Sequence, residues 1–157
     1  MAKATKAEKH ALKRVIFEPT RLRAIVDDLR NVDVLMGMRD DSTAPPPFVL
    51  VNGQPDPSIA TVTAICRRIA ANYRSIRADI KPLDIRQPAK RQIRLGYAEE
   101  AASWEARATL WEAVAAGDPD ADGQTIQVHV DAAIAAYRSA HTFLPSLDDY
   151  ADRYAQT

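Results

Sequence analysis

The chain has 157 residues, 46% of them hydrophobic and 27% charged, with a formal net charge of zero. That is the composition of one ordinary globular domain and excludes a disordered or fibrous chain. A single cysteine, Cys66, excludes an internal disulfide and suits a reducing, cytoplasmic compartment. The polar basic start and the brief Val15-Ile16-Phe17 cluster do not read as a signal peptide, and no run approaches the roughly 20 apolar residues of a membrane span.

The neutrality conceals two poles. Residues 1–94 carry 18 Lys/Arg against 10 Asp/Glu, net +8, and residues 95–157 carry 3 against 11, net −8. Ala is abundant and Gly scarce, which favours helix.

Thr5-Lys6-Ala7-Glu8 has the form of a capping box and predicts a short basic helix from Lys6 to Phe17. Pro19 interrupts it and Thr20 caps a second helix. There Leu22, Ile25, Leu29, Val32 and Met36 recur at steps of three and four, on one face, and Gly37 marks the end. Residues 40–56 form an extended proline-rich arm. Pro45-Pro46-Pro47 is stiff because each ring fixes φ. Phe48-Val49-Leu50-Val51 reads as a strand followed by an Asn52-Gly53 turn. With no second strand evident nearby, these four residues are expected to dock on a partner by strand addition.

Asp56-Pro57 starts a third helix. Ile59, Val62, Cys66, Ile69, Tyr73, Ile76 and Ile80 make its packing seam, with Cys66 as a small buried hydrophobe. After a connector bracketed by Pro82 and Pro88, a long helix runs from Ala89 to Ala116. Its seam is Ile93, Tyr97, Ala101, Trp104, Ala108, Trp111 and Ala115. The last long helix spans Thr125 to Phe143 with Val130, Ile134, Tyr137, His141 and Leu144 as its apolar face. Pro145-Ser146 opens a short terminal helix. The fold expected is all-α: one domain over 1–157, an antiparallel bundle of four main helices with short N- and C-terminal helices, residues 1–18 being peripheral.

Chemistry-bearing patterns are sparse. Asp118-x-Asp120-x-Asp122-Gly123 matches the first half of a calcium loop. Its second half fails, because His129 stands where a bidentate glutamate is needed. The loop therefore reads as a solvated turn and no cofactor is expected, with calcium at Asp118, Asp120 and Asp122 the alternative. His10, His129 and His141 have no metal-ligand spacing, and no GxSxG, HExxH or phosphate loop occurs. The pairs Glu99-Glu100, Asp27-Asp28 and Asp148-Asp149 are sequence neighbours that point to different helix sectors and make no acid/base pair.

Arg67, Arg74 and Lys81 recur every seven residues, with Arg68, Arg77, Arg86, Lys90, Arg91 and Arg94 around them. Residues 67–94 hold nine Lys/Arg and two acids, net +7. Such a stripe suits nucleic-acid phosphates, or the acidic faces of Glu99, Glu100, Glu105 and Glu112 within one chain or between copies. The expected function is a non-enzymatic interaction protein, a subunit or adaptor of a multi-copy assembly such as a phage connector-type particle, held to protein partners or to its own copies by its charge poles and arm. A nucleic-acid-binding regulator and an enzyme with a site assembled across helices are the alternatives.

Overall fold

The structure, a computed structural model, describes residues 2–37, 50–51, 54–55 and 57–156. It is an all-α antiparallel bundle, as the seams predict. Helix α1 covers Lys6–Ile16 and α2 Pro19–Gly37. The long helices α3, Pro57–Ile80, and α4, Gln87–Ala115, are followed by α5, Gln124–Ser139. A 3₁₀ turn at His141–Phe143 then leads into α6, Leu147–Gln156.

The starts of the helices follow from local chemistry. Thr5 caps α1: the Glu8 amide donates to its hydroxyl at 3.1 Å, and the Thr5 amide donates to the Glu8 carboxylate at 3.0 Å. The first turn of α2 is capped by Glu18 and not by Thr20. The Thr20 and Arg21 amides donate to the Glu18 carboxylate at 3.1 and 2.8 Å. Pro19 therefore opens α2 as well as ending α1, since its missing N–H is one that a first turn leaves free anyway. Ser146 and Asp149 exchange hydrogen bonds of 2.9 to 3.1 Å at the start of α6. Helix α4 ends at Gly117, whose φ of +77° suits glycine. There the Gly117 amide donates to the Val114 carbonyl and the Asp118 amide to that of Ala113, both at 3.0 Å.

The α3–α4 contact is the most extensive, followed by α4–α5 and α2–α3. Val62, Cys66, Ile69, Ile76 and Ile80 of α3, and Ile93, Tyr97, Ala101 and Ala108 of α4, are buried, as their spacing requires. Each fully buried isoleucine contributes about 1.5–3 kcal/mol. Trp104 and Trp111 lie half-buried against Val62, Cys66 and Ala108. The N-terminal segment is not peripheral: Leu12, Ile16 and Phe17 belong to the main core with Leu22, Ile80 and Phe143. Arg21, itself buried, ties α1, α2 and α3 together through Asp79 at 2.5 Å, Ser75 at 3.2 Å and the Val15 carbonyl.

Two expectations need correction. Leu50–Val51 and Gln54–Pro55 pair as an antiparallel hairpin, Leu50 opposite Pro55 and Val51 opposite Gln54. The strand thus has a local partner, which two residues without alternation, one of them proline, do not advertise. Proline is tolerated because an edge position needs no donor there. Phe48, Val49 and the triple proline lie outside the described residues. Secondly, α5 buries Ala133 and Ala136, and Ala140 follows just beyond its end, whereas Ile134 is 43% and Val128 64% exposed. His141, expected on the apolar face, is exposed. Small residues let α5 lie close on α4, and close approach selects alanine over a larger apolar face.

Candidate functional site

Ile16 of α1, the inner face of α2, the α3–α4–α5 contacts and the C-terminal segment line a half-open cavity of about 360 Å³, inside the range of small-ligand pockets. Helix α2 contributes Leu22, Ile25, Val26 and Leu29, and α3 contributes Tyr73 and Ile76. Tyr97 and Glu100 come from α4, Tyr137 from α5, and Leu144, Pro145 and Tyr150 from the C-terminal segment. The lining is mostly aliphatic side chains and tyrosines. Tyr97 stands 5.5 Å from Tyr137 edge-to-face and 6.1 Å from Tyr73, centroid to centroid. Tyr150 packs edge-on against Phe17 at 4.7 Å. Edge-to-face contacts of this kind hold ring orientation beyond simple burial.

Glu100 is the one carboxylate among the described residues lining this cavity. Its Oε2 accepts a hydrogen bond from the Tyr137 hydroxyl at 2.8 Å. Burial raises its pKa, opposed by the Tyr137 hydrogen bond and by the charge of Arg107. Burial likewise pushes the Tyr73, Tyr97, Tyr137 and Tyr150 hydroxyls up, so all four remain neutral donors and acceptors at pH 7. Arg107, one turn beyond Ser103, donates to the Ser103 hydroxyl at 3.2 Å and stands 4.3 Å over the Trp104 ring. It influences Glu100 through its charge without lining the cavity.

Gly96 sets the position of Tyr137. A Cβ at Gly96 would stand within 2.8 Å of three atoms of the Tyr137 ring, closer than carbon atoms pack. Glycine here makes room for the ring that donates to Glu100.

The basic stripe is largely paired within the chain. Arg67 meets Glu112 and, at 3.8 Å, Glu105; Arg74 meets Glu105 at 3.0 Å. Arg68 grips Asp28 with contacts of 2.8 and 3.3 Å. Arg86 binds Glu8 at 2.8 Å through its side chain, and its amide donates to Glu8 at 3.0 Å. Arg94 and Lys90 donate to the carbonyls of Arg77 and Lys81. Arg77 and Arg91 are exposed. Of the four glutamates weighed as partners, Glu105 and Glu112 meet arginines of the stripe, whereas Glu99 faces His129 at 2.5 Å and Glu100 lines the cavity.

In the acidic loop, Asp118 accepts from the Asp120 amide at 2.9 Å and Asp122 from the Gln124 amide at 3.0 Å, the pattern of side-chain-closed turns. Among the described residues no three His, Cys, Asp or Glu side chains converge as a metal site would require. Cys66 is fully buried and its thiol is pushed by burial up to about 11. Among the described residues, no helix is long and apolar enough to cross a membrane.

Three of the four cavity tyrosines, Tyr73, Tyr97 and Tyr137, fall in the sequence seams, as core positions. Glu100 was assigned to the acidic surface. Its signal was present: it lies three residues after Tyr97, the step that continues the α4 seam. Comparison of the chain with family models, with curated proteins and with solved structures finds no match in any of the three.

Proposed function

We propose that this chain is a binding protein that holds a small, mostly apolar molecule in the cavity between α2, α3, α4, α5 and the C-terminal segment. The carrying observation is the cavity itself: about 360 Å³, lined by aliphatic side chains and four tyrosines, with one carboxylate among its described lining residues. Ligand sites in helical bundles are built this way, apolar for affinity and with few polar groups for orientation. Titration with N-phenyl-1-naphthylamine, whose emission rises in apolar surroundings, is expected to saturate at one dye per chain. Leu29→Trp, which fills the cavity from α2, should abolish the rise without loss of helix content. Dye binding that survives Leu29→Trp would place it elsewhere and overturn the reading.

A second reading is favoured by Val128 and Ile134, large apolar side chains left exposed on α5. They suit a partner-binding face, in keeping with an interaction or assembly protein. Light scattering behind size-exclusion chromatography tests it: a single-chain mass at every concentration would remove self-assembly. The nucleic-acid alternative has less support, since carboxylates of the same chain occupy Arg67, Arg68, Arg74 and Arg86.

A further inference from the structure

We infer that the cavity selects a protonated amine with an apolar body, its ammonium group seated between the Glu100 carboxylate and the tyrosine rings; this rests on the cavity being a ligand site. Glu100 has two oxygens. Oε2 accepts from the Tyr137 hydroxyl, and among the described residues no donor meets Oε1. A carboxylate in partly buried surroundings with one oxygen unmet favours a charged donor, because charge-assisted hydrogen bonds are roughly twice as strong as neutral ones.

The surroundings discriminate between head groups. Tyr73, Tyr97 and Tyr137 present ring surfaces and hydroxyl oxygens on neighbouring helices. Ring faces attract a cation through the π quadrupole, more strongly where water is excluded. Hydroxyl oxygens accept the N–H groups that Glu100 does not. A carboxylate ligand would bring a like charge to Glu100. An alcohol supplies one donor and no charge. Arg107, the cation whose charge reaches Glu100, is held over Trp104 and by Ser103 and leaves the Oε1 position open. Away from the head, Leu22, Ile25, Leu29 and Ile76 offer surface for an alkyl or aryl body.

Octylamine, 1-octanol and octanoate share one apolar body and differ in head charge at pH 7. Calorimetric titration of the full chain with each is expected to rank the amine about tenfold or more tighter than the alcohol, with the acid weakest. Glu100→Gln, nearly equal in size, should remove the preference for the amine over the alcohol; its melting curve is recorded alongside. The ranking on the unaltered chain requires no variant. Octanol binding as tightly as octylamine, or an amine preference that persists in a folded Glu100→Gln, would overturn the inference while the cavity reading stands. Failure of all three probes to bind would remove the cavity reading with it.

Discussion

Gly96→Ala tests the packing on which the site depends. In an exposed helix interior this change stabilises by about 1 kcal/mol, because alanine loses less backbone entropy than glycine. At Gly96 the added Cβ would stand within 2.8 Å of the Cδ1, Cε1 and Cζ atoms of Tyr137. The nearest of these, Cε1, would stand at 2.2 Å; carbon atoms pack at about 3.5–4.0 Å, so the ring must retreat by roughly 1.3–1.8 Å. Tyr97 stands edge-to-face against the same ring at 5.5 Å, which blocks one direction of retreat. Overpacking of this order costs about 1–3 kcal/mol. Retreat also stretches the 2.8 Å hydrogen bond to Glu100, worth about 1.5–3 kcal/mol where the acceptor is charged. Set against the helix gain, the net loss is about 1.5–5 kcal/mol. For a chain of this size that corresponds to a fall in Tm of roughly 3–20 °C. Thermal unfolding followed by circular dichroism reads it directly. The double variant Gly96→Ala with Tyr137→Leu should recover part of the loss, since the smaller side chain vacates the space. A Gly96→Ala protein that melts above the parent would refute the reasoning, because it would mean the ring is not where the α4–α5 contact puts it.

Three further outcomes follow from named contacts. Glu8 is held down to about 2 from an ordinary 4.5, first by the Arg86 side-chain hydrogen bond and then by the Thr5 and Arg86 amides. A depressed carboxylate contributes stability that is fully present above its unfolded pKa and lost as pH falls through the folded value. The stability gap between the parent and Glu8→Gln, about 2 kcal/mol at pH 7, should therefore close between about pH 4.5 and pH 2 in denaturant titrations. Cys66, with its thiol pushed to about 11 and no exposure, should react with a disulfide reagent only at the rate of chain opening; prompt labelling in native buffer would contradict its place in the core. Ile69→Ala, in the middle of the α3 seam and fully buried, should cost about 2–5 kcal/mol, whereas Glu105→Gln, which removes the exposed pairs with Arg67 and Arg74, should cost less than about 1 kcal/mol; urea midpoints compare the two.

The helices that form the bundle were legible because steps of three and four residues mark buried faces wherever those faces carry large apolar side chains. The α3 and α4 seams are of this kind. The α5 face was not, because alanine marks an interface without raising its hydrophobicity, so Ala133 and Ala136 were passed over in favour of Ile134. The hairpin was hidden because Gln54 and Pro55 have no strand character of their own. The cavity was half legible. Tyr73, Tyr97 and Tyr137 sit at seam positions and look like any core residue, since a seam says which side chains point inward and not whether they meet. Glu100 occupies a seam step too, but charge outweighs spacing in a sequence reading. Gly96 gave no sign, because a glycine within a helical run is distinguished only by the ring that it admits from another helix.

Under the proposed function, Tyr73, Tyr97, Tyr137 and Tyr150 surround a ligand. The direct measurement is a nuclear magnetic resonance titration with N-phenyl-1-naphthylamine of protein labelled in its tyrosine rings and tryptophan indoles. All four rings, including Tyr137, whose hydroxyl donates to Glu100, are expected to shift together and saturably at one equivalent. Trp104 and Trp111, which pack on the Val62–Cys66–Ala108 cluster, should stay still. Indole signals that move while the four tyrosines do not would put the ligand outside the cavity and contradict the account.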